Sequence, residues 1–404
     1  MPRTLLTWKS EPMESTPTAG ENIAVLRKAR GIGQTKLARQ MGITVSYLSK
    51  VETGIRPATP VVVAGAAKAL HVTTARIYGQ PFSDPSEQAD LLNDLRGAVR
   101  RHTLPKEDTP PPEALAGGLK HAAQLRAETK YLELLRELPT LLGQATATAL
   151  DADGDAVAWG QVSDLYGCAY AVAHRLAQPD LADMIVSRQQ WAAQRTWNPA
   201  AEAAAAWNEA GTYQSAGQYD DGLAIVERAI SQFERARSNG PESVIVLGSL
   251  HLRGVVLASR HRDKNATEIH LRHAKELAGQ FPADQLMHNL TFGEGNTALY
   301  ELAAHIELDQ PNRAVQMATP LLDQPPTGLK PNRLGRFYID LARARLATKD
   351  LEGSEEALKR AFQVSPQMAE IHPMSREVLR VLFVMHQRSR PDLMQMAKRT
   401  GLAA

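Results

Sequence analysis

Between residues 34 and 53 the apolar positions Leu37, Met41, Ile43, Leu48 and Val51 fall at helical spacing on either side of Gly42. The pattern predicts two short helices joined by a tight turn. Ala38 is small where the second helix must cross, and Gly42 supplies the positive φ of the turn. The outward positions are Gln34, Thr35, Thr44, Val45, Ser46, Tyr47, Ser49 and Lys50, mostly uncharged polar or basic. Flanking patterns predict a first helix over Asn22 to Ala29, a fourth over Pro60 to Leu70 and a short fifth after Thr73. Thr59 suits an N-cap and Pro60 a first-turn position. Residues 1–20 lack periodicity and read as a disordered arm before a compact unit at 21–80.

Residues 81–118 carry one amphipathic stretch, Gln88 to His102, then a proline cluster and Gly117-Gly118. They read as a linker with one helix and a Pro-rich hinge. From residue 119 to 404 the pattern is helical and repeats. Its clearest unit starts at Trp207, turns at Ala216-Gly217 and runs on to Ala229. Similar helix pairs lie over Leu165 to Gln189, Leu250 to Ala274, Thr297 to Leu321 and Phe337 to Pro366. Small residues in the second helices (Ala182, Gly222, Ala266, Ala314 and Ser354) recur at intervals of 40, 44, 48 and 40. That period predicts an α-solenoid, in which each pair buries its apolar face against its neighbours.

Composition agrees with an all-α fold: apolar residues make up 43 %, alanine and leucine lead, and aromatics are only 5 %. One cysteine, Cys168, allows no internal disulfide, so an intracellular, cytoplasmic protein is expected. No apolar run is long enough for a signal peptide or a membrane span. The net charge of +2 hides an asymmetry. Residues 21–80 hold nine Lys/Arg against Glu21 and Glu52, a net of +7, which leaves −5 for the other 344. Basic charge gathered on a small helical unit is the footprint of a phosphate-binding domain, and with the helix pair it implies binding of double-stranded DNA.

Residues 22–78 resemble the phage-repressor type of helix-turn-helix, the XRE family. The likeness rests on Gln34-xx-Leu37-Ala38-xxx-Gly42-Ile43, on Tyr47-Leu48-Ser49-Lys50-Val51-Glu52, and on Gly54. It implies a five-helix domain and a structural ion pair between Arg27 and Glu52. It also implies that Gln34 and Thr44 approach phosphates while Val45, Ser46, Tyr47, Ser49 and Lys50 face the major groove, with Thr35 beside them. Thr53 and Arg56, just past the helix, suit the DNA backbone. The recognition helix lacks Arg, Asn and Gln, so discrimination falls to Lys50, to apolar contact and to DNA shape.

The repeats resemble the tetratricopeptide (TPR) type through Ala210, Tyr213, Gly217, Tyr219 and Ala229, and through Asp350 to Gly353 with Ala361 and Pro366. Gly222 stands where alanine is customary. The whole chain resembles actinobacterial regulators that join a helix-turn-helix to a TPR-like domain. Segments carrying that likeness include Tyr131 to Leu142, Phe292 to Tyr300 and Glu307 to Ala318. Its architecture is also similar to the peptide-sensing quorum receptors of Gram-positive bacteria, the RRNPP group. The resemblance implies a transcriptional regulator acting as a homodimer, with a peptide or small-molecule effector in the concave groove. Trp207, Gln214, His251, Asn296, Leu299, Arg336 and Arg343 would line it. The alternative is an interaction scaffold whose solenoid binds a partner protein.

Other chemistry is thin. His251, His261, His270 and His273 lack a matching ligand set, so no metal is expected. Asp151-Ala-Asp153-Gly-Asp155 begins like a calcium loop, but Ala156 and Val162 break the pattern. Cys168 reads as a buried thiol. No P-loop, GxSxG, HExxH or paired-carboxylate motif occurs, so neither a catalytic residue nor a cofactor is expected.

Overall fold

The computed structural model describes residues 17–79, 85–151, 155–236, 240–385 and 390–402. Residues 1–16 of the expected arm lie outside these, and residues 152–154 of the calcium-like loop do too. The N-terminal head comprises α1 (Ala19–Ala29), α2 (Gln34–Gln40), α3 (Val45–Glu52), α4 (Pro60–Ala69) and α5 (Thr74–Tyr78). The first helix starts three residues before the expected Asn22, because Thr18 and Glu21 form a reciprocal cap. The Thr18 hydroxyl accepts from Glu21 N at 3.2 Å, and the Glu21 carboxylate accepts from Thr18 N at 2.8 Å. Thr44, Thr59 and Thr73 cap α3, α4 and α5 through the hydroxyl alone, which accepts from the backbone N–H three residues on.

Ile23, Leu37, Leu48, Val51, Val63, Leu70 and Ile77 have no exposed surface and form the head's core. Each such side chain contributes about 1.5–3 kcal/mol by leaving water. Gly42 turns the chain between α2 and α3 at φ 65°, a conformation costly for residues with a Cβ.

The body begins with α6 (Pro85–Arg100), α7 (Pro112–Ala127) and α8 (Tyr131–Asp151). Here the structure departs from the expected hinge. Pro111 and Pro112 occupy the start of α7, where a missing N–H costs nothing, and Gly117 and Gly118 lie within that helix. A Cβ at Gly118 would meet Leu141 of α8 at 2.8 Å, so the glycine permits close packing rather than bending. Leu92, Leu95 and Val99 of α6 join Leu115, Ala122 and Leu125 of α7 in the main core.

Helical hairpins follow: α9 (Ala156–Arg175) with α10 (Pro179–Ala193), then α11 (Pro199–Ala216) with α12 (Tyr219–Ala236), then α13 (Pro241–His261) with α14 (Lys264–Ala278). Next come the strands β1 (Gln285–Met287) and β2 (Leu290–Phe292), α15 (Glu294–Glu307) with α16 (Pro311–Asp323), and α17 (Pro331–Ala347) with α18 (Leu351–Val364). Helices α19 (Pro366–Ile371), α20 (Pro373–Met385) and α21 (Pro391–Arg399) close the chain. Each hairpin packs chiefly on the next, as a solenoid requires.

The fourth residue of each second helix is buried: Ala182, Gly222, Thr267, Ala314 and Ser354. In the third unit this corrects Ala266 to Thr267, whose hydroxyl donates to Asp263 O at 2.6 Å and so is accommodated. Helix α13 is long and apolar enough to cross a membrane, but 83 % of its apolar window is buried inside the protein. It is the central helix of the body, packed by α11, α12, α14 and α15.

Among the described residues one β-hairpin interrupts the all-α plan. Strands β1 and β2 pair antiparallel with Met287 opposite Leu290, and His288 and Asn289 make the two-residue turn at φ 45° and 62°. Phe292 packs where Gly248 of α13 leaves room, and the turn reaches across to α9 and α13.

Candidate nucleic-acid interface and the solenoid lumen

Helix α3 is fixed by a buried ion pair. Arg27 of α1 donates to both carboxylate oxygens of Glu52 at 2.7 and 2.8 Å, and its third donor reaches Ile32 O at 2.9 Å. Gln34 Nε2 completes the set at 2.8 Å from Glu52. Burial pushes Glu52 up, but the bonds from Arg27 and Gln34 outweigh it and hold the carboxyl below its ordinary value. Gln34, expected near phosphates, therefore has its side-chain amide engaged in positioning the recognition helix.

Thr35, Thr44, Val45, Ser46, Lys50, Thr53 and Arg56 are exposed, and Ser49 is half-buried beside them. Val45 is an apolar residue left 40 % open on this face. Tyr47 is placed differently from the groove-facing expectation: it is half-buried against the head's core, with the Arg56 guanidinium 5.5 Å from its ring centre. Thr53 Oγ1 donates to Ser49 O at 2.9 Å, which ends the helix.

The head is docked on the body at two places. Ala58 N donates to Glu377 Oε2 of α20 at 2.7 Å, and Arg380 of the same helix donates to Arg56 O at 3.2 Å and to Glu377 at 2.7 Å. On the other side Thr74 Oγ1 donates to Ser215 O of α11 at 2.6 Å. Ala64 of α4 presses on Gly217, whose φ of 78° ends α11. Neither docking pair was visible in the sequence, because nothing local marks residues more than 140 positions apart as neighbours.

A cavity of about 380 Å³ separates head from body, and a second of about 160 Å³ continues into the solenoid. His174, Arg175, Gln214, Arg260 and Arg336 border both. Five residues expected to line an effector groove do border the inner cavity: Trp207, Gln214, Asn296, Leu299 and Arg336. Trp207 Nε1 donates to Ser249 O at 2.9 Å, and the Arg253 guanidinium lies 3.5 Å from its ring centre. Gln214 accepts from Arg253 at 2.6 Å. Asn296 donates to Thr291 O at 2.6 Å.

His251 and Arg343 are corrected, since neither borders the cavity. His251 is buried against His270 at 3.1 Å and stacks on His273, and burial lowers it to about 3 and His270 to about 4. Among the described residues no group of His, Cys, Asp or Glu is arranged to hold a metal ion. Arg343 is held between Asp340 at 2.9 Å and Glu307 at 3.0 Å. Burial pushes the Cys168 thiol up to about 11, so it stays protonated.

The lumen also holds residues that no motif announced, chiefly Arg126, Arg253 and Arg333. At its far edge His288 bridges Asp164 at 3.3 Å and Glu242 at 2.7 Å. Burial pulls this imidazole down, yet the two carboxylates outweigh it and raise it to about 9.

The fold thus defines a helix-turn-helix head on a helical-repeat body. Residues 19–77 match the family model described as a helix-turn-helix domain, which supports a DNA-binding regulator. No curated protein matches the chain. Among solved structures it is similar to PlcR of Bacillus thuringiensis in complex with the peptide PapR7 and DNA, at 13 % identity and a TM-score of 0.27. That match covers 89 % of this chain and 99 % of the other. It is similar also to a point mutant of PrgX, at 10 % identity and TM-score 0.22 over 95 % and 99 % of the two chains. The PrgX complex with iCF10 gives 10 % identity and TM-score 0.25 over 92 % and 98 %.

Proposed function

We propose that this chain is a sequence-specific, DNA-binding transcriptional regulator whose solenoid senses an effector. The observation that supports it most is the face of α3. Thr44, Val45, Ser46 and Lys50 are open to solvent while Leu48, Val51 and Glu52 anchor the opposite side. A short helix held rigidly with uncharged polar and basic groups outward suits base edges flanked by phosphates. One such helix reads few bases, so two heads of a homodimer would bind half-sites about 34 Å apart.

Head and body share the larger cavity and the hydrogen bonds to Ser215, Glu377 and Arg380. An effector that prefers one docking arrangement would therefore shift the placement of the heads. The test is selection of bound duplexes from a random library by the full chain, followed by titration across salt. Enrichment of a two-fold symmetric sequence, with affinity falling steeply as salt rises, supports the reading. A library that returns unenriched, with no binding at low salt, sinks it.

A further inference from the structure

We propose that the solenoid lumen is a binding site for a compact polyanion, a small molecule carrying carboxylate or phosphate oxygens held by Arg126, Arg253 and Arg333. This rests on the reading of the solenoid as the effector domain and names the chemistry of the effector.

The argument is one of charge left without a partner. Arg126, Arg175, Arg253, Arg260, Arg333 and Arg336 all border the inner cavity, whereas Asp340 is the only carboxylate among the described residues that border it. Asp340 is already bound by Arg336 and Arg343, and Glu307 behind it by Arg343 and Arg260. Asp164 and Glu242 are engaged by His288. Three of the other guanidiniums have neutral partners. Arg126 donates to Asn289 O at 2.6 Å, Arg253 to Gln214 at 2.6 Å and Arg333 to Tyr300 Oη at 3.4 Å. Arg126 and Arg253 are 9 % and 7 % exposed, and the Nε of each, like that of Arg333, is buried without a hydrogen-bond partner. Several buried cations facing one another around an open space are costly unless an anion joins them. Guanidinium pairs planar oxyanions through two parallel donors, so carboxylate or phosphate is the fitting chemistry.

Tyr300 and His174, which border the inner cavity on its arginine-lined side, report positive potential, whereas His288 at the far edge answers to Asp164 and Glu242. Burial pushes the Tyr300 phenol up, but Arg333, Arg253 and Arg336 outweigh it and hold it below its ordinary value. Tyr47, Tyr78, Tyr166, Tyr170 and Tyr219 are instead raised, burial being the leading cause in each. Burial and the neighbouring arginines hold His174 and His372 well down. Trp207, Tyr300 and Phe337 add apolar and aromatic wall, so the ligand need not be inorganic.

The test is calorimetric titration of the full chain with pyrophosphate and with citrate at fixed ionic strength, with citrate trimethyl ester as the uncharged control. One saturable site is expected for at least one of the two anions. Its affinity should fall at least tenfold in Arg253→Gln and in Arg333→Gln, and hold in Arg235→Gln, which removes an exposed cation of α12 that borders neither cavity. Preference for pyrophosphate assigns a phosphate ligand and preference for citrate a carboxylate one. Should either lumen variant fail to fold, phenolate absorbance provides a second reading in the wild type against Tyr300→Phe. The Tyr300 signal should titrate early in the free protein and move to higher pH with bound anion. The proposal is overturned by the absence of a saturable site for both anions, by equal affinity in folded lumen variants, or by ester binding as tight as citrate. DNA binding is scored on the same samples. Intact DNA binding without anion binding removes this inference alone, and the reverse removes the regulator reading alone.

Discussion

Two buried arginines show how differently the head and the body treat charge. Arg27 in the head has a dedicated carboxylate, bonded through two donors and shared with Gln34. Arg253 in the body is as well buried, yet it rests on a tryptophan face and a glutamine carbonyl with other arginines around it. The first arrangement is finished by folding: it fixes α3 against α1 and leaves nothing for a ligand to add. The second is incomplete within the described residues, and the incompleteness lies in a cavity. A paired buried charge therefore marks scaffold here, and an unpaired cluster marks a place that waits for something.

The largest effect that would sharpen this contrast is in the head. Glu52→Ala strands Arg27 in the core and should cost about 3–5 kcal/mol by chemical denaturation. A loss below 1 kcal/mol would show that the pair is not what holds α3. The contribution of this pair should also vanish in acid. The folded pKa of Glu52 lies below its unfolded value, so the stabilisation is present above the unfolded pKa and disappears as pH falls through the folded one.

His288 gives the opposite sign at the edge of the lumen. Its folded pKa is raised to about 9 by Asp164 and Glu242, which outweigh burial. The stabilisation is therefore complete below about pH 6.5 and lost as pH rises through about 9, on the order of 1–3 kcal/mol. Unfolding midpoints from pH 6 to 10, wild type against His288→Gln, measure it; parallel curves would remove His288 as a latch.

In the DNA interface, Lys50→Ala should weaken binding to the selected duplex by about 1–3 kcal/mol if the ammonium reads a guanine. Unchanged affinity takes Lys50 out of the reading set. The smallest expected effect is the most pointed. Arg333→Gln removes a cation from a repelling cluster, so stability should stay within about 1 kcal/mol of wild type or rise. A cost matching that of Glu52→Ala would break the comparison between the two regions.

Much of the head was legible because its information is local. Helical spacing, the Thr caps and the turn glycine act within four or five residues, so α2 to α5 sit where the pattern puts them. The first helix was placed late because its cap, Thr18, lies in a stretch that has no periodicity of its own. The body was legible as a repeat for the same reason, down to the small fourth residue of each second helix. The slip at Ala266 arose because a threonine that satisfies its own hydroxyl can fill a small-residue site. Pro111 and Pro112 were misread as a hinge. Proline ends one element and starts another with the same residue, and only the packing of α6 and α7 into the main core tells which.

The sequence by itself determined the helices, their order, the basic character of the head and the period of the repeats, since each follows from neighbours along the chain. Only the tertiary structure decided which polar groups meet. Tyr47 turned inward, and Arg343 and His251 were spent in the body's interior. Glu377 and Arg380 reached back to the head, and six arginines from distant repeats came to surround one cavity. Charge pairing depends on distances between elements, and no periodicity encodes those.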